Sequence, residues 1–349
     1  MLPIDRYLAN KSLEISAANR GLKIVYLDVN YWIRLRNQST GSPGEDRAML
    51  DKALSLAAER KCIFPVSDIV YYEILKQQDE RSRRDTFNIV SQLSGNIALM
   101  DDHKRIKIEF LHWMAAGQNA VTHTADQLVW SKLPLVIAYP GLAAVDYSTG
   151  TNEIQDAFFD FMGEIPMVDI SAVENLHQYP FTFKDNVDEM NANKKAYAHQ
   201  NKTAVQLFLS ELGGVLDGAD EILKAAMREK YFKDTGREAS IEEINTTGTM
   251  EWRSLIYHCF KQNKVGSHLP FFRICAALYA SFRWNKERQY KDGNDTLDVM
   301  HACAALPYCD YFFTERELHT IIEQQKLDQL YNCTVASKTD VVMQLLDSL

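Results

Sequence analysis

The chain has 349 residues, a formal net charge of −9 at pH 7, and a composition in which 46% of the residues are hydrophobic. This apolar content is typical of packed globular proteins and argues against an intrinsically disordered chain. The acidic balance excludes a protein that coats nucleic acid through a general positive charge. It leaves room for a local basic surface beside an acidic metal site.

The cysteines and the N-terminal residues indicate a compartment. No two of the six cysteines have C-x-x-C spacing, and several lie in apolar runs, so we expect free thiols in a reducing cytoplasm. The opening MLPIDRYLANKSLEIS has no basic segment followed by an apolar stretch, unlike a signal peptide. The apolar stretch 133–145 is too short and too interrupted by proline and glycine to cross a bilayer. We therefore expect a cytoplasmic protein without a membrane segment.

Strand and helix patterns alternate near the start of the chain. KIVYLDV at 23–29 predicts a buried strand, CIFPVS at 62–67 predicts a second with Pro65 near its end, and IALMD at 97–101 predicts a short third. This alternation favours a parallel α/β sheet. Helical patterns fill the intervals, over 30–37, 48–61, 68–77 and 83–95.

The pattern changes in the middle of the chain and returns near its end. Helical periodicity dominates from 103 to 290, and the alternation resumes with the apolar helix 297–306. The sequence predicts next a strand over 311–315, a helix over 316–330, a strand over 333–337 and a helix over 338–349. We therefore predict an α/β fold with an N-terminal arm (1–22), a first core part (23–102), a large, mostly helical insertion (103–290) and a second core part (291–349).

Acidic side chains recur where predicted strands end or helices begin. In a parallel α/β sheet these positions share one edge, where ligands bind. Each acid taken singly could be a helix cap or an acid in a first helical turn. Their coincidence on one sheet edge is what favours a site. The acids in these positions are Asp28, Glu73, Asp295, Asp298 and Glu315.

Several carboxylates in one crevice repel one another unless a cation lies between them. Oxygen ligands of this kind suit Mg²⁺ or Mn²⁺, and the chemistry they support is metal-assisted hydrolysis of a phosphodiester. His301 lies one turn after Asp298, where it could be a core residue or a residue that supports the ligands.

The segments YLDVN, YYEIL, DVMHACAAL and CDYFFTERE, in this order, resemble the PIN (PilT N-terminal) domain superfamily of metal-dependent nucleases. The resemblance covers 20–102 and 291–349 and leaves out the insertion. It implies a Rossmann-like parallel sheet flanked by helices, three or four acids around Mg²⁺ or Mn²⁺, and cleavage of RNA. By position, Asp28, Glu73 and Asp298 match the first three acids of the family.

The last motif of the family, a strand threonine followed closely by aspartate, is altered here. Thr314 is followed by Glu315, Arg316 and Glu317, and Arg316 occupies a position where some members carry aspartate. Glu315 is the expected fourth acid, with Glu317 and Asp310 kept as alternatives.

The resemblance thus assigns catalytic roles to four acids and places other residues around the metal. Asp295 is an additional acid that could share a second ion. Supporting positions are expected for three further residues, the threonine contacting either the ligands or the phosphate. The catalytic residues are Asp28, Glu73, Asp298 and Glu315; the metal ligands are Asp28, Asp298, Glu315 and Asp295; the supporting residues are Thr314, His301 and Asn30.

FRWNKERQYK at 282–291 adjoins the predicted site and mixes cations with aromatic residues. Phosphate contact combined with base stacking is what binding of single-stranded RNA needs. The alternative is a solvated helix end whose aromatic rings, Phe282, Trp284 and Tyr290, turn inward. The expected substrate-binding residues are Arg283, Lys286, Arg288, Lys291 and Arg316.

The leading hypothesis is a divalent-metal-dependent endoribonuclease. The insertion resembles those of longer stand-alone PIN-like proteins of bacteria, some linked to toxin or phage-defence systems, and it could face RNA, a regulatory protein or a second copy of the chain. A structure-specific DNA nuclease stays open because of the insertion, and a catalytically inactive scaffold stays open because of Arg316. A haloacid-dehalogenase phosphatase is disfavoured, since it needs aspartate where Asn30 stands.

Overall fold

The structure is a computed structural model. It describes residues 2–39, 45–117, 121–147, 150–173, 184–197, 199, 202–240, 243, 249–291 and 293–349. The strands are β1 (Lys23–Leu27), β2 (Cys62–Ile63), β3 (Ile97–Leu99), β4 (Trp130–Lys132), β5 (Tyr311–Phe313) and β6 (Thr334–Ala336). The helices are α1 (Pro3–Ala18), α2 (Val29–Ser39), α3 (Glu45–Ala58), α4 (Asp68–Leu75), α5 (Glu80–Ser94), α6 (Asp102–Gly117), α7 (Ala125–Leu128), α8 (Leu133–Ala144), α9 (Asn152–Gly163), α10 (Met167–Val173), α11 (Lys184–Ala196), α12 (Ala204–Gly218), α13 (Asp220–Thr235), α14 (Thr249–Lys261), α15 (Pro270–Trp284), α16 (Asn294–Ala305), α17 (Arg316–Gln324), α18 (Leu327–Tyr331) and α19 (Thr339–Asp347).

The central sheet is parallel, in the order β2-β1-β5-β6. In β1, Val25 lies opposite Tyr311 and Leu27 opposite Phe313, so β1 and β5 end side by side. A bridge between Val66 and Ala98 brings β3 alongside the chain that continues from β2. The prediction of an α/β fold with a parallel sheet is confirmed.

The second predicted strand is shorter than the sequence pattern suggests. Only Cys62 and Ile63 form ladder pairs, and pairing resumes at Val66 as a single bridge. Pro65 lies in the gap, where it has no N–H to donate to a neighbouring strand. In place of the expected strand over 62–67, the structure has a two-residue strand and a single bridge, with the proline between them.

The predicted helix over 316–330 is also wrong, because the structure has two helices there. α17 ends at Gln324, and Lys326 adopts a left-handed conformation with φ of 55° before α18 begins. Such a conformation interrupts helical hydrogen bonding. After the break, Leu327 lies in the core with 3% of its surface exposed.

The N-terminal arm and the insertion pack against the core. α1 packs against α7, α8, α9 and β4, and the Ser12 hydroxyl accepts a hydrogen bond from the Trp130 amide at 2.9 Å. β4 itself was not predicted; it pairs antiparallel with β3. The largest buried cluster contains Phe313 of the sheet together with Phe110 and Phe272 of the insertion. The core and the insertion therefore share one hydrophobic core.

Among the described residues, every helix is too short or too polar to cross a membrane.

Candidate active site

The acids predicted from the sequence meet at the carboxyl-terminal edge of the parallel sheet. Asp28 follows β1, and its amide donates to the Phe313 carbonyl at 3.1 Å, at the end of β5. Thr314 follows β5, and its amide donates to the Ala336 carbonyl at 3.0 Å, at the end of β6. Asp298 extends from α16 towards the same edge, where it interacts electrostatically with Asp28. Three neighbouring strands thus end in register beneath the acids.

Asp28 is buried, with 4% of its surface exposed, and it caps α2. Its Oδ1 accepts hydrogen bonds from the amides of Asn30 at 3.0 Å and Tyr31 at 3.4 Å. Burial raises the pKa of Asp28 to about 6, although the charge of His301 and a hydrogen bond with Thr314 act in the opposite direction. The carboxylate is thus held in place at a cost in free energy.

Asp298 experiences the same effect more strongly. Burial raises the pKa of Asp298 to about 7; the charge of His301 opposes this, whereas Glu315 and Asp28 add to it by repulsion. Carboxyl groups that raise one another's pKa favour any cation that can lie between them. The electrostatics of this edge therefore suit a bound cation.

Glu73 reaches the site from α4 and contacts His301 of α16. His301 is 2% exposed, and its Nε2 lies 2.5 Å from Oε2 of Glu73. Burial alone would lower the pKa of His301, but Glu73, Asp28 and Asp298 outweigh it, so the pKa is raised and the protonated ring is favoured. His301 is thus a source of positive charge among the acids.

The other nitrogen of His301 meets two residues that the sequence analysis missed. Nδ1 lies 2.8 Å from the hydroxyl of Tyr26, and that hydroxyl lies 2.6 Å from Oγ of Ser67. Ser67, Tyr26 and His301 are all buried, between β1, α4 and α16. The sequence could have indicated this contact through Tyr26, because a tyrosine in a buried strand needs a hydrogen-bond partner for its hydroxyl.

Glu315 is the acid at the outer rim. It is exposed and stands at the N-cap of α17, where its Oε1 accepts a hydrogen bond from the side-chain amide of Asn30. The predicted fourth acid and the predicted supporting asparagine are thus in contact. Asp310, kept as an alternative, is wrong as a fourth acid: it precedes β5 at the opposite edge, where Oδ2 accepts from the Ile24 amide at 2.9 Å.

Asp295 lies close enough to Asp298 to raise its pKa, but its own oxygens are engaged by other groups. It is 7% exposed, its Oδ1 lies 2.5 Å from the guanidinium of Arg288, and its Oδ2 accepts from the Lys291 amide at 2.9 Å. The Nε of Arg288 also contacts Glu317 at 2.7 Å. Because both oxygens of Asp295 are already engaged, a shared second ion has no support here. Arg288 pairs with both Asp295 and Glu317, so it is a structural cation and is not free to contact the substrate.

A pocket of about 360 Å³ opens beside these residues. Every residue in its walls has a polar or charged side chain, as a site for a charged substrate requires. It is lined by Glu287, Arg288, Gln289, Lys291, Asn294, Asp295, Asp298, Glu315 and Glu317.

The basic segment 282–291 divides into engaged and exposed residues. Arg283 forms an ion pair with Glu211 of α12. Phe282 is 1% exposed and Tyr290 7%, so for these two rings the alternative of an inward orientation holds. Trp284, by contrast, is 54% exposed at the end of α15. The exposed cations near the pocket are Lys286, Lys291 and Arg316.

The insertion holds this segment in place through α11. Lys194 is 9% exposed, and its Nζ donates to the carbonyls of Phe282 at 2.8 Å, Asn285 at 2.6 Å and Arg288. Asn191 exchanges two hydrogen bonds with the backbone of Tyr290, at 3.1 and 3.0 Å. The wall of the pocket is therefore fixed by residues far away in the sequence.

Replacing Lys194 with methionine is expected to loosen this wall. Three carbonyls, of which that of Phe282 is buried, would lose their donor, which typically costs on the order of 2 kcal/mol. We expect a lower melting temperature and faster amide exchange at 285–291, measured by mass spectrometry. Lys195→Met, at an exposed neighbouring position, is the matched control. Equal exchange in the two variants would contradict the clamp.

No protein-family model, curated protein or solved structure matches this chain.

Two observations bear on whether the acids fit a metal ion. Their chemistry fits, because hard carboxylate oxygens that repel one another are typical ligands of Mg²⁺ and Mn²⁺. In the described part of the chain, however, no three His, Cys, Asp or Glu side chains stand in an arrangement that could hold an ion. The chemistry of the acids is therefore suited to a metal ion, but the described side chains are not arranged as a complete set of ligands.

Proposed function

We propose that this protein is a divalent-metal-dependent nuclease that hydrolyses phosphodiester bonds of RNA. The observation that carries the proposal is the convergence of Asp28, Glu73, Asp298 and Glu315 on one sheet edge beside a polar pocket. They come from four separate elements, and the burial of Asp28 and Asp298 costs free energy that a structural role does not require. The resemblance to PIN domains supports the same function.

Each acid has a role in this proposal. Asp28, Asp298 and Glu315 would hold Mg²⁺ or Mn²⁺, which stabilises negative charge on the phosphate and activates water. Asp28 is fixed by the amides at the start of α2, so it supplies a rigid anchor. Glu73 would orient the attacking water and accept its proton. Thr314, which bonds Asp28, would keep that carboxylate in its position.

The rim of the pocket supports a polyanionic substrate. Lys291 lines the pocket, Lys286 is exposed on the adjoining segment, and Trp284 of the same segment offers an exposed ring on which a base could stack. A stacked base beside a phosphate contact is typical of single-stranded RNA binding. The rim therefore favours RNA over a small phosphate ester.

Replacing Lys286 and Lys291 together with alanine is expected to weaken RNA binding and its dependence on salt. If each lysine contacts one phosphate, the slope of log K against log[salt] should fall by about 1.4 for a single strand. Fluorescence anisotropy with a labelled oligonucleotide at several salt concentrations measures this. The matched control is Lys23→Ala with Lys61→Ala, because both lysines lie at the opposite sheet edge. An equal change in the control would place the RNA elsewhere.

The proposal is tested by incubating the protein and its Asp298→Asn variant with total RNA and single-stranded DNA, with Mn²⁺ or with chelator. We expect RNA cleavage that requires metal and is lost in the variant. Cleavage of DNA alone would favour a DNA nuclease. Cleavage that persists in chelator or in the variant would overturn the proposal.

A catalytically inactive scaffold is the second candidate. It is favoured by the ion pairs within the site, because Arg288 neutralises Asp295 and His301 pairs with Glu73 without a metal ion. A scaffold of this kind needs no metal. Titration of the protein with Mn²⁺ by calorimetry separates the two functions: no binding at millimolar Mn²⁺ favours the scaffold, and binding that Asp298→Asn weakens favours the nuclease.

A further inference from the structure

Behind the acids lies an unbroken chain of four hydrogen-bonded polar side chains, of which Ser67, Tyr26 and His301 are buried and Glu73 is partly buried. It runs from Ser67 to Tyr26 at 2.6 Å, from Tyr26 to His301 at 2.8 Å, and from His301 to Glu73 at 2.5 Å. Ser67 and Tyr26 are fully buried, and His301 is 2% exposed. A buried polar chain of this kind is costly unless every member is satisfied.

Ser67 departs from the role that its position favours. It stands at the N-cap of α4, where a serine normally accepts a hydrogen bond from an amide of the first turn. Its side chain makes no such bond here. The hydroxyl contacts Tyr26 instead. Helix α4 therefore has no side-chain cap from Ser67, and Ser67 is instead the last residue of the hydrogen-bonded series.

The donors and acceptors fix the direction of the hydrogen bond between His301 and Glu73. An ionised Glu73 only accepts hydrogen bonds, so Nε2 of His301 must carry a proton and donate it. The Tyr26 hydroxyl can then donate to Nδ1 of a neutral ring or accept from Nδ1 of a protonated ring, and Ser67 completes either pattern. In both patterns, the Nε2 proton points at Oε2 of Glu73.

We propose that Ser67, Tyr26 and His301 form a positioning relay that fixes the Glu73 carboxylate through its Oε2. Among the described residues, none donates a hydrogen bond to Oε1 of Glu73, so that oxygen is available to the attacking water. This inference rests on the proposed nuclease function. His301 and Tyr26 are positioning residues in it, since they act on the reaction through Glu73.

A network with a purely structural role would also be buried and fully hydrogen-bonded. A kinetic double-mutant cycle distinguishes such a network from a positioning relay. Tyr26→Phe keeps the ring and removes the hydroxyl, so we expect a kcat about 10-fold lower with KM unchanged. Tyr26→Phe added to His301→Gln should have no further effect, because the hydroxyl acts through the imidazole. Additive losses would overturn the relay.

Tyr308→Phe is the matched control for this cycle. It removes another buried hydroxyl that bonds a carboxylate, Glu109 at 2.5 Å, but it precedes β5 at the opposite sheet edge. We expect kcat to be unchanged in Tyr308→Phe. An equal loss in both tyrosine variants would mean that the effect comes from the fold, and it would overturn the inference.

A measurement without substrate keeps this inference separate from the proposed function. In protein labelled with ¹⁵N-histidine, the signals of His301 are those lost in His301→Gln. Tyr26→Phe should shift the Nδ1 signal, and Glu73→Gln should shift the Nε2 signal. These shifts in a protein that cleaves no RNA would support the relay and count against the nuclease. Unchanged signals would overturn the relay whether or not RNA is cleaved.

Discussion

Asp28→Asn is expected to lower kcat/KM for RNA cleavage by about 10³-fold, the scale seen when a group that stabilises a transition state is removed. The amide has nearly the shape of the carboxylate and can still cap α2 by accepting from the amides of Asn30 and Tyr31. It supplies no negative charge to a divalent cation. Activity should therefore be lost while the fold is kept. Initial rates on a labelled oligonucleotide with Mn²⁺, together with a thermal melt, measure both quantities.

Asp79→Asn is a close control for this substitution. Asp79 is also a helix N-cap, and its side chain accepts from the Ser82 amide at 2.8 Å, at the start of α5. The chemical change is the same, and no site acid is touched. Asp79→Asn should cleave RNA at the wild-type rate. If Asp28→Asn keeps more than a tenth of the activity, Asp28 is not a metal ligand.

The metal-free protein should lose stability as the pH rises from 5 to 8. In the folded protein, the pKa of Asp28 is raised to about 6 and that of Asp298 to about 7, above the ordinary value of 3.8. The folded state therefore binds more protons than the unfolded state in this window, and stability falls with pH. The raised pKa of His301 acts in the same direction, because its contribution is lost as pH rises through the folded value. The site groups alone should contribute a decrease on the order of 3 kcal/mol to the total that urea unfolding in chelator measures.

The variant Asp298→Asn measures how much of that loss of stability comes from Asp298. Asparagine does not titrate, so the variant should show a flatter pH dependence and be more stable than the wild type at pH 8 without metal. The slope that remains would include Asp68 and Glu109, whose pKa values burial raises to about 7. Mg²⁺ should stabilise the wild type at pH 8 more than the variant, because it binds the folded state. A wild-type stability that rises from pH 5 to 8 would contradict this account.

The sequence by itself determined the edge of the sheet at which the acids meet. Short runs of β-branched and aromatic residues marked β1 and β5, and Asp28 and Glu315 were placed by their position just after those strands. Asp298 was placed by its position at the start of an apolar helix. Such assignments depend on local periodicity, which a single sequence carries. Parallel strands then bring their carboxyl ends together without further information.

Only the tertiary structure decided which charges compensate which. Glu73 and His301 are 228 positions apart, Tyr26 and His301 are 275 apart, and no local pattern links them. The pairing of Asp295 with Arg288 is close in sequence, yet it depends on Lys194, 94 positions from Arg288, holding the segment in place. A carboxylate that is a metal ligand and one that is neutralised by an arginine have the same local sequence signal. What distinguishes them is the charge that packing brings within a few ångströms, because electrostatic energy depends on distance through space and not along the chain.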